Sequence, residues 1–165
     1  MCRTNGRNGD ALARIIASNI IARNNAGECI AIPSVCSAHP EVISASLQLA
    51  SRLNRPLVIE ATSNQVNQFG GYTGMDAKAF VACIDDLKSK NGISPNLIEL
   101  GGDHLGPQVW KSETAEMAMA KARELVSDYV RAGINKIHLD CSEGCAGEPL
   151  FIDNETAAER AASLA

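Results

Sequence analysis

No stretch of this 165-residue chain approaches the roughly 18–20 consecutive apolar residues that a membrane-spanning helix needs. A bilayer-spanning protein is therefore not expected. The amino terminus is polar and Asn/Gly-rich, without the charged, apolar and small-residue order of a secretory signal. Six cysteines are present, but none form a C-x-x-C pair. They read as reduced thiols of a cytoplasmic protein. Lysines and arginines are scattered rather than grouped, so nothing would track a phosphate backbone and nucleic acid is not an expected partner. Neither G-x-x-x-x-G-K-[ST] nor G-x-G-x-x-G occurs, which argues against a phosphate-loop kinase and gives no dinucleotide fingerprint. Aromatic residues make up only 4%, so Ala, Ile and Leu carry the apolar load, which suits helix–sheet packing through small residues.

What is present alternates. A first helix is expected over Asp10–Asn25, capped by Asp10 and ended by Gly27, followed by a strand over Cys29–Val35 with an irregularity at Pro33. A helix opens at His39-Pro40 and repeats apolar residues at Ile43, Leu47 and Ala50. A strand over Pro56–Glu60 precedes a long polar loop, Ala61–Gly74. Asp76 caps the next helix, with Phe80, Ile84 and Leu87 on its inner face. The third strand reads as Leu97–Gly101. Ser112 is the expected cap of a long helix with Glu113 and Glu116 in its first turn and a stripe at Ala118, Ala122, Leu125 and Tyr129. Lys136–Asp140 is the fourth strand, and Asp153 caps a last helix.

Strict strand–helix alternation implies parallel strands with right-handed crossovers. The loops after strands are long and polar, and those after helices are short. That asymmetry belongs to a (β/α)8 TIM-type barrel, with its working loops on one face. Four units are half of such a barrel. The expected organisation is a leading helix and variable amino terminus over 1–26, then the first half of a TIM barrel over 27–165, a fragment of a longer single-domain protein.

The most informative segment is Glu99-Leu100-Gly101-Gly102-Asp103-His104, an apolar run ending in two glycines and an adjacent Asp-His pair. The glycines permit a sharp turn and close ligand approach. Period-2 alternation sets Glu99, Gly101 and Asp103 on one strand face, Lys136, His138 and Asp140 on another, and Val58 and Glu60 on a third. With the aliphatic residues turned toward helices, Glu60, Asp103, His138 and Asp140 converge on the barrel mouth. Such a cluster is costly unless solvated, paired or metal-bound. His104 is the best candidate metal ligand, with His138 a weaker one, and Asp103 is a candidate acid/base or an orienting partner. His39 is either a ligand-binding residue or a helix cap. Asn64, Gln65, Asn67 and Gln68 offer the neutral hydrogen-bonding groups that a polyol or sugar takes, and serve equally well in a solvated loop.

Four segments carry a family resemblance: Ser34 through Pro40 (SVCSAHP), Glu60 through Gly74 (EATSNQVNQFGGYTG), Gly101 through Pro107 (GGDHLGP) and Lys136 through Ser142 (KIHLDCS). They closely resemble the non-catalytic, accessory subunit family of class II D-tagatose-1,6-bisphosphate aldolase, from about Gly27 onward. The resemblance implies a full (β/α) barrel in a longer chain, which supports a separate zinc-dependent catalytic aldolase subunit in galactitol, tagatose or N-acetylgalactosamine catabolism. It implies a sugar phosphate as ligand, with Ser37, His39, Asn64 and Gln65 as candidate binding residues, and an oligomer. Some relatives look instead like metal-dependent D-tagatose 6-phosphate 4-epimerases acting by retro-aldol cleavage and re-addition. A tagatose 6-phosphate kinase label, also carried in the family, finds no phosphate loop here. Asp103-His104 is similar to the pair ending a strand of catalytic class II aldolases. Carried over, His104 would bind a divalent metal, zinc foremost, and Asp103 would shuttle a proton; the strand pattern itself offers Glu60 and Asp140 as further candidate catalytic carboxylates.

Overall fold

A computed structural model describes residues 18–165. The first eight residues of the expected leading helix, 10–17, lie outside the described residues. The remainder, 18–25, is helical (α1). Four strands form one parallel sheet in sequence order: β1 (Ser34–Cys36), β2 (Leu57–Thr62), β3 (Ile98–Leu105) and β4 (Lys136–Leu139). Helices α2 (Pro40–Leu53), α3 (Ala77–Lys90) and α4 (Ala115–Arg131) connect them, and α5 (Asn154–Leu164) follows β4. This is the parallel α/β alternation of part of a TIM-type barrel. Among the described residues no helix is long and apolar enough to cross a membrane.

One sheet face is aliphatic. Leu57, Ile59, Ala61 and Ile98 are buried in a core with Ile43 and Leu47 of α2, Phe80 and Ile84 of α3, and Ala118, Ala122, Leu125 and Tyr129 of α4. The helical spacing of these residues is what places each stripe on the sheet. The helix starts have local causes. His39 Nδ1 accepts from the Glu41 N–H with Pro40 in the first turn, and Asp76 and Asp153 accept from Ala79 and Thr156 N–H groups.

Several boundaries move. The first strand is confined to Ser34–Cys36 rather than Cys29–Val35. Pro33 has no N–H for a ladder, and it joins the sheet only through its carbonyl, which accepts from Val58. The third strand does not end at Gly101 but runs through both glycines to Leu105. The long helix is capped by Thr114, not Ser112. The chain first makes a 3-10 turn, Pro107–Trp110, and Glu113 donates its N–H to the Trp110 carbonyl, which delays helix entry. Glu113 therefore lies before the helix, paired with Lys121.

The two outer strands, β1 and β4, have no further strand beside them among the described residues. Next to β1 lies an apolar groove of about 500 Å³ between α1 and α2, lined by Ile20, Ile30, Val35, Leu49, Leu53 and Leu57.

Tyr129 ties α4 to the β2–α3 loop: its buried hydroxyl donates to the Val66 carbonyl at 2.9 Å. Tyr129→Phe keeps the packing and removes this bond. The expected loss is about 1–2 kcal/mol of unfolding free energy, read as a lower urea midpoint at unchanged m-value.

Candidate metal and ligand site at the strand ends

The opposite face of the sheet is polar. Its residues follow the alternation: Val58 and Glu60 on β2, Glu99, Gly101 and Asp103 on β3, Lys136 and His138 on β4. Glu60 is buried (5% exposed) and accepts from the Ser34 hydroxyl and the Lys136 ammonium. Lys136 Nζ also lies 3.7 Å from Asp103 Oδ1. Gly101 makes this possible, because a side chain there would meet Glu60 and the Lys136 stem at 2.9–3.0 Å. Deeper in the face, Glu99 is buried, its Oε2 has no hydrogen-bond partner, and burial raises its pKa.

The strand ends hold the chemistry. Period-2 alternation alone would turn His104 toward the helices. A bulge prevents this. Gly102 pairs with Ile137 and Leu105 with Leu139, so β3 advances three residues while β4 advances two. His104 takes a left-handed backbone, φ 50°. Such a value is uncommon for a residue with a side chain, although histidine is among those that tolerate it. Leu105 thereby keeps the helix side, against Gly102 and Tyr129. Asp103 and His104 both reach the mouth, beside His138. Gly106 follows because the Asp140 carbonyl passes 1.7 Å from where its Cβ would stand.

Asp103 stands between two imidazoles. Its Oδ1 is 2.8 Å from His138 Nδ1, and its Oδ2 is 2.9 Å from His104 Nδ1. An ionised carboxylate only accepts, so His138 donates to it from Nδ1, His104 turns Nδ1 to it in ion-pair contact, and neither Nε2 is spent on Asp103. The rings meet edge-on with centroids 4.6 Å apart. Burial opposes ionisation of Asp103. The hydrogen bonds from His138 and His104, with the Lys136 charge, outweigh it and hold the carboxyl down at about 2. Asp140 sits alongside. Burial opposes its ionisation too, but the Ser142 hydroxyl and N–H bind its Oδ1 at 2.7 and 2.9 Å and bring its pKa below the ordinary range. The Cys36 thiol, near the same rim, is pushed up to about 11 by burial and the Asp103 charge.

Donor atoms of Asp103, His104 and His138 all lie within 4.8 Å of one another. Two half-exposed imidazoles, backed by a carboxylate that orients them, form a donor set that fits a divalent transition metal with positions left for other ligands. Of the residues singled out from the sequence, Asp103, His104 and His138 come together, Glu60 joins them through Lys136, and Asp140 lies at their edge. Ser37 and His39 are occupied with starting α2: the Ser37 hydroxyl accepts from the His39 N–H, and His39 Nδ1 caps Glu41. Gln65 Oε1 accepts from the Thr62 N–H at 2.8 Å and faces the Cys36 thiol, and Asn64 is exposed. Asn67 and Gln68 turn inward onto loop and α4 backbone. Lys136 and Ser63 were not among the residues singled out. Alternation had already set Lys136 beside His138, and that was its signal. Nothing in the sequence marks Ser63.

A parallel β/α sheet with acids and imidazoles at its strand ends has the layout of TIM-barrel proteins that work at the carboxyl face. The family model described as D-tagatose-1,6-bisphosphate aldolase subunit GatZ/KbaZ-like matches residues 17–165, and the chain belongs to that family. It is 56% identical over 145 residues to the D-tagatose-1,6-bisphosphate aldolase subunit GatZ of Escherichia coli (strain K12), covering 88% of this chain and 34% of that protein. The subunit of the same name from Shigella boydii serotype 18 (strain CDC 3083-94 / BS512) matches equally. The chain thus spans about a third of the length of these curated relatives. A crystal structure described as a probable tagatose 6 phosphate kinase from Sinorhizobium meliloti 1021 superposes with a TM-score of 0.80 at 50% identity, over 82% of this chain and 35% of that one.

Asp103 gives a pH prediction. A carboxyl held at about 2 when folded, against about 4 when unfolded, adds stability that is fully present above about pH 4 and lost as pH falls toward 2. Asp103→Asn should remove about 1–2 kcal/mol at pH 7 and flatten the stability profile between about pH 4 and 2, followed by urea unfolding at each pH.

Proposed function

We propose that residues 27–165 are the first half of a closed TIM barrel. In this reading the barrel is the accessory subunit of a class II D-tagatose-1,6-bisphosphate aldolase, and it supports the activity and stability of a separate catalytic subunit. The single observation that carries the reading is the 56% identity to subunits of that name across 88% of this chain. The unpaired outer strands and the apolar groove beside β1 support closure by further β/α units, since a barrel has no free edges. The working compartment is the cytoplasm, the assembly is an oligomer containing the catalytic subunit, and the ligand at the mouth is a sugar phosphate. The 4-epimerase alternative is not favoured, because these curated relatives carry the aldolase-subunit name.

His104 and His138 would hold a divalent metal through Nε2, zinc by the chemistry of the donors, with the Asp103 carboxylate behind both rings. Such an ion supplies Lewis acidity toward a carbonyl or hydroxyl oxygen. The chain's own groups act around it. Asp103 fixes both imidazoles in the Nδ1–H tautomer and keeps its negative charge at neutral pH. As a base it is weak in this state, so orienting the two rings is the role its hydrogen bonds support first. Lys136 pairs with Glu60 and shares its charge with Asp103. Asn64 and Gln65, on the loop after β2, would offer neutral hydrogen-bonding groups to a sugar, and Asp140 bounds the mouth on the β4 side.

Co-expression tests the accessory role. The catalytic subunit from the same organism, produced with and without the intact protein, should gain several-fold in aldolase activity and in half-life at growth temperature when the two are together. The same activity and half-life in both preparations would sink the reading.

A further inference from the structure

We propose that Ser63 is a positioning residue of the strand-end site. Its hydroxyl, together with the Gln108 carboxamide, grips the His104 carbonyl and holds the left-handed backbone that aims the His104 imidazole at Asp103. This rests on the reading that Asp103, His104 and His138 form a working site, and it deepens that reading.

The His104 carbonyl accepts from Ser63 Oγ at 3.2 Å and from Gln108 Nε2 at 3.3 Å. A non-glycine residue in the left-handed region persists where its surroundings over-determine it. Two side-chain donors on one carbonyl are such surroundings, because they fix the peptide plane immediately after the strained residue. Their positions are not accidental. Thr62, the residue before Ser63, is in register with Asp103, so Ser63 follows on beside His104. Ser63 is fully buried. Water therefore has no access to replace the bond, and its hydroxyl needs the carbonyl as much as the carbonyl needs the hydroxyl.

Ser63 is itself braced. Its carbonyl accepts from Asn67 Nδ2 at 2.8 Å, and Asn67 Oδ1 accepts from the Phe69 and Gly71 N–H groups at 2.9 and 3.1 Å. Gly71 has φ 52°, and any side chain there would run into the Gln65 carbonyl at 2.3 Å. The loop after β2 is thus folded on itself behind Ser63. The rigidity of that loop passes through one hydroxyl to the backbone of β3. Without the Ser63 bond, Gln108 alone, which is only half-buried, would hold the carbonyl. His104 could then relax toward an ordinary strand conformation and turn its ring away from Asp103, while His138, on β4, would stay.

The test uses the intact protein as wild type, Ser63→Ala, Gln108→Ala and the double variant. Nitrogen-15 NMR of the histidine rings reads tautomer and hydrogen bonding with no metal added, and His104→Gln and His138→Gln variants assign the signals. In wild type both rings should show the Nδ1–H tautomer. Ser63→Ala should move the His104 signal toward a tautomer mixture, the double variant should move it further, and the His138 signal should hold. Titration of Zn2+ alone into each protein should give about tenfold weaker binding in Ser63→Ala, the scale of losing an outer contact to a ligand. An unmoved His104 signal in the double variant would overturn the proposal. So would equal shifts of both histidines, which mark general loosening. If wild type takes no Zn2+ but the His104 signal still moves, the metal reading fails and Ser63 stands as the positioning residue.

Discussion

One carboxylate between two imidazoles sets the terms for the strand ends. Asp103 is mostly shielded, and a shielded negative charge must find donors or become neutral. It finds them at Nδ1 of His104 and His138, from two adjacent strands, with Lys136 behind. Most local peculiarities of β3 serve this arrangement. The bulge brings two consecutive residues to the same side. Gly101 leaves room for the Glu60–Lys136 pair, and Gly106 lets the Asp140 carbonyl pass. At Gly101 the thin backbone and the polar face have one cause, since a side chain there would occupy the space that Glu60 and Lys136 need, whereas Gly102 leaves room for Leu105 and Tyr129 on the aliphatic side.

Charge is balanced in layers along the polar face. At the rim, Asp103 is met by imidazoles. One layer down, Glu60 is met by Lys136 and the Ser34 hydroxyl. Lower still, Glu99 has a buried oxygen with no partner, and burial alone raises its pKa. The first two layers bridge strands: Ser34 on β1, Glu60 on β2, Asp103 on β3, Lys136 and His138 on β4. The polar face therefore cross-links the sheet where the aliphatic face packs it. A change at Lys136 would be felt at Asp103 as well as at Glu60.

The periodic features were legible in the sequence. The helical stripes at Ile43/Leu47, Phe80/Ile84 and Ala118/Ala122/Leu125/Tyr129, the caps at Asp76 and Asp153, the parallel alternation, and the shared face of Glu60, Asp103 and His138 follow from spacing alone. The exceptions to period were not legible. Strict alternation puts His104 on the wrong side of β3, because a bulge is a relation between two strands and one strand's sequence does not contain it. Ser112 looked like a cap because the 3-10 turn before α4 has no pattern of its own. The amides of the β2–α3 loop read as ligand donors from composition, yet Asn67 and Gln68 are spent on backbone groups that only the folded loop brings within reach.

A purely structural network would account for part of this rim, and exposure shows where that account weakens. Asp103 retains 18% of its side-chain exposure, but His104 and His138 retain 48% and 46%. Half-exposed pairs contribute little to stability, about 0–1 kcal/mol, because water competes for the same groups. A fold selected for rigidity alone would bury those rings or replace them with donors that cost no backbone strain. Instead His104 is held at a positive φ by two side chains, and both rings keep an edge open to solvent with Nε2 not spent on Asp103. Strain maintained by buried contacts for the sake of an exposed group is better explained by something that group binds. That favours a ligand at this mouth even in a subunit whose proposed task is to support another.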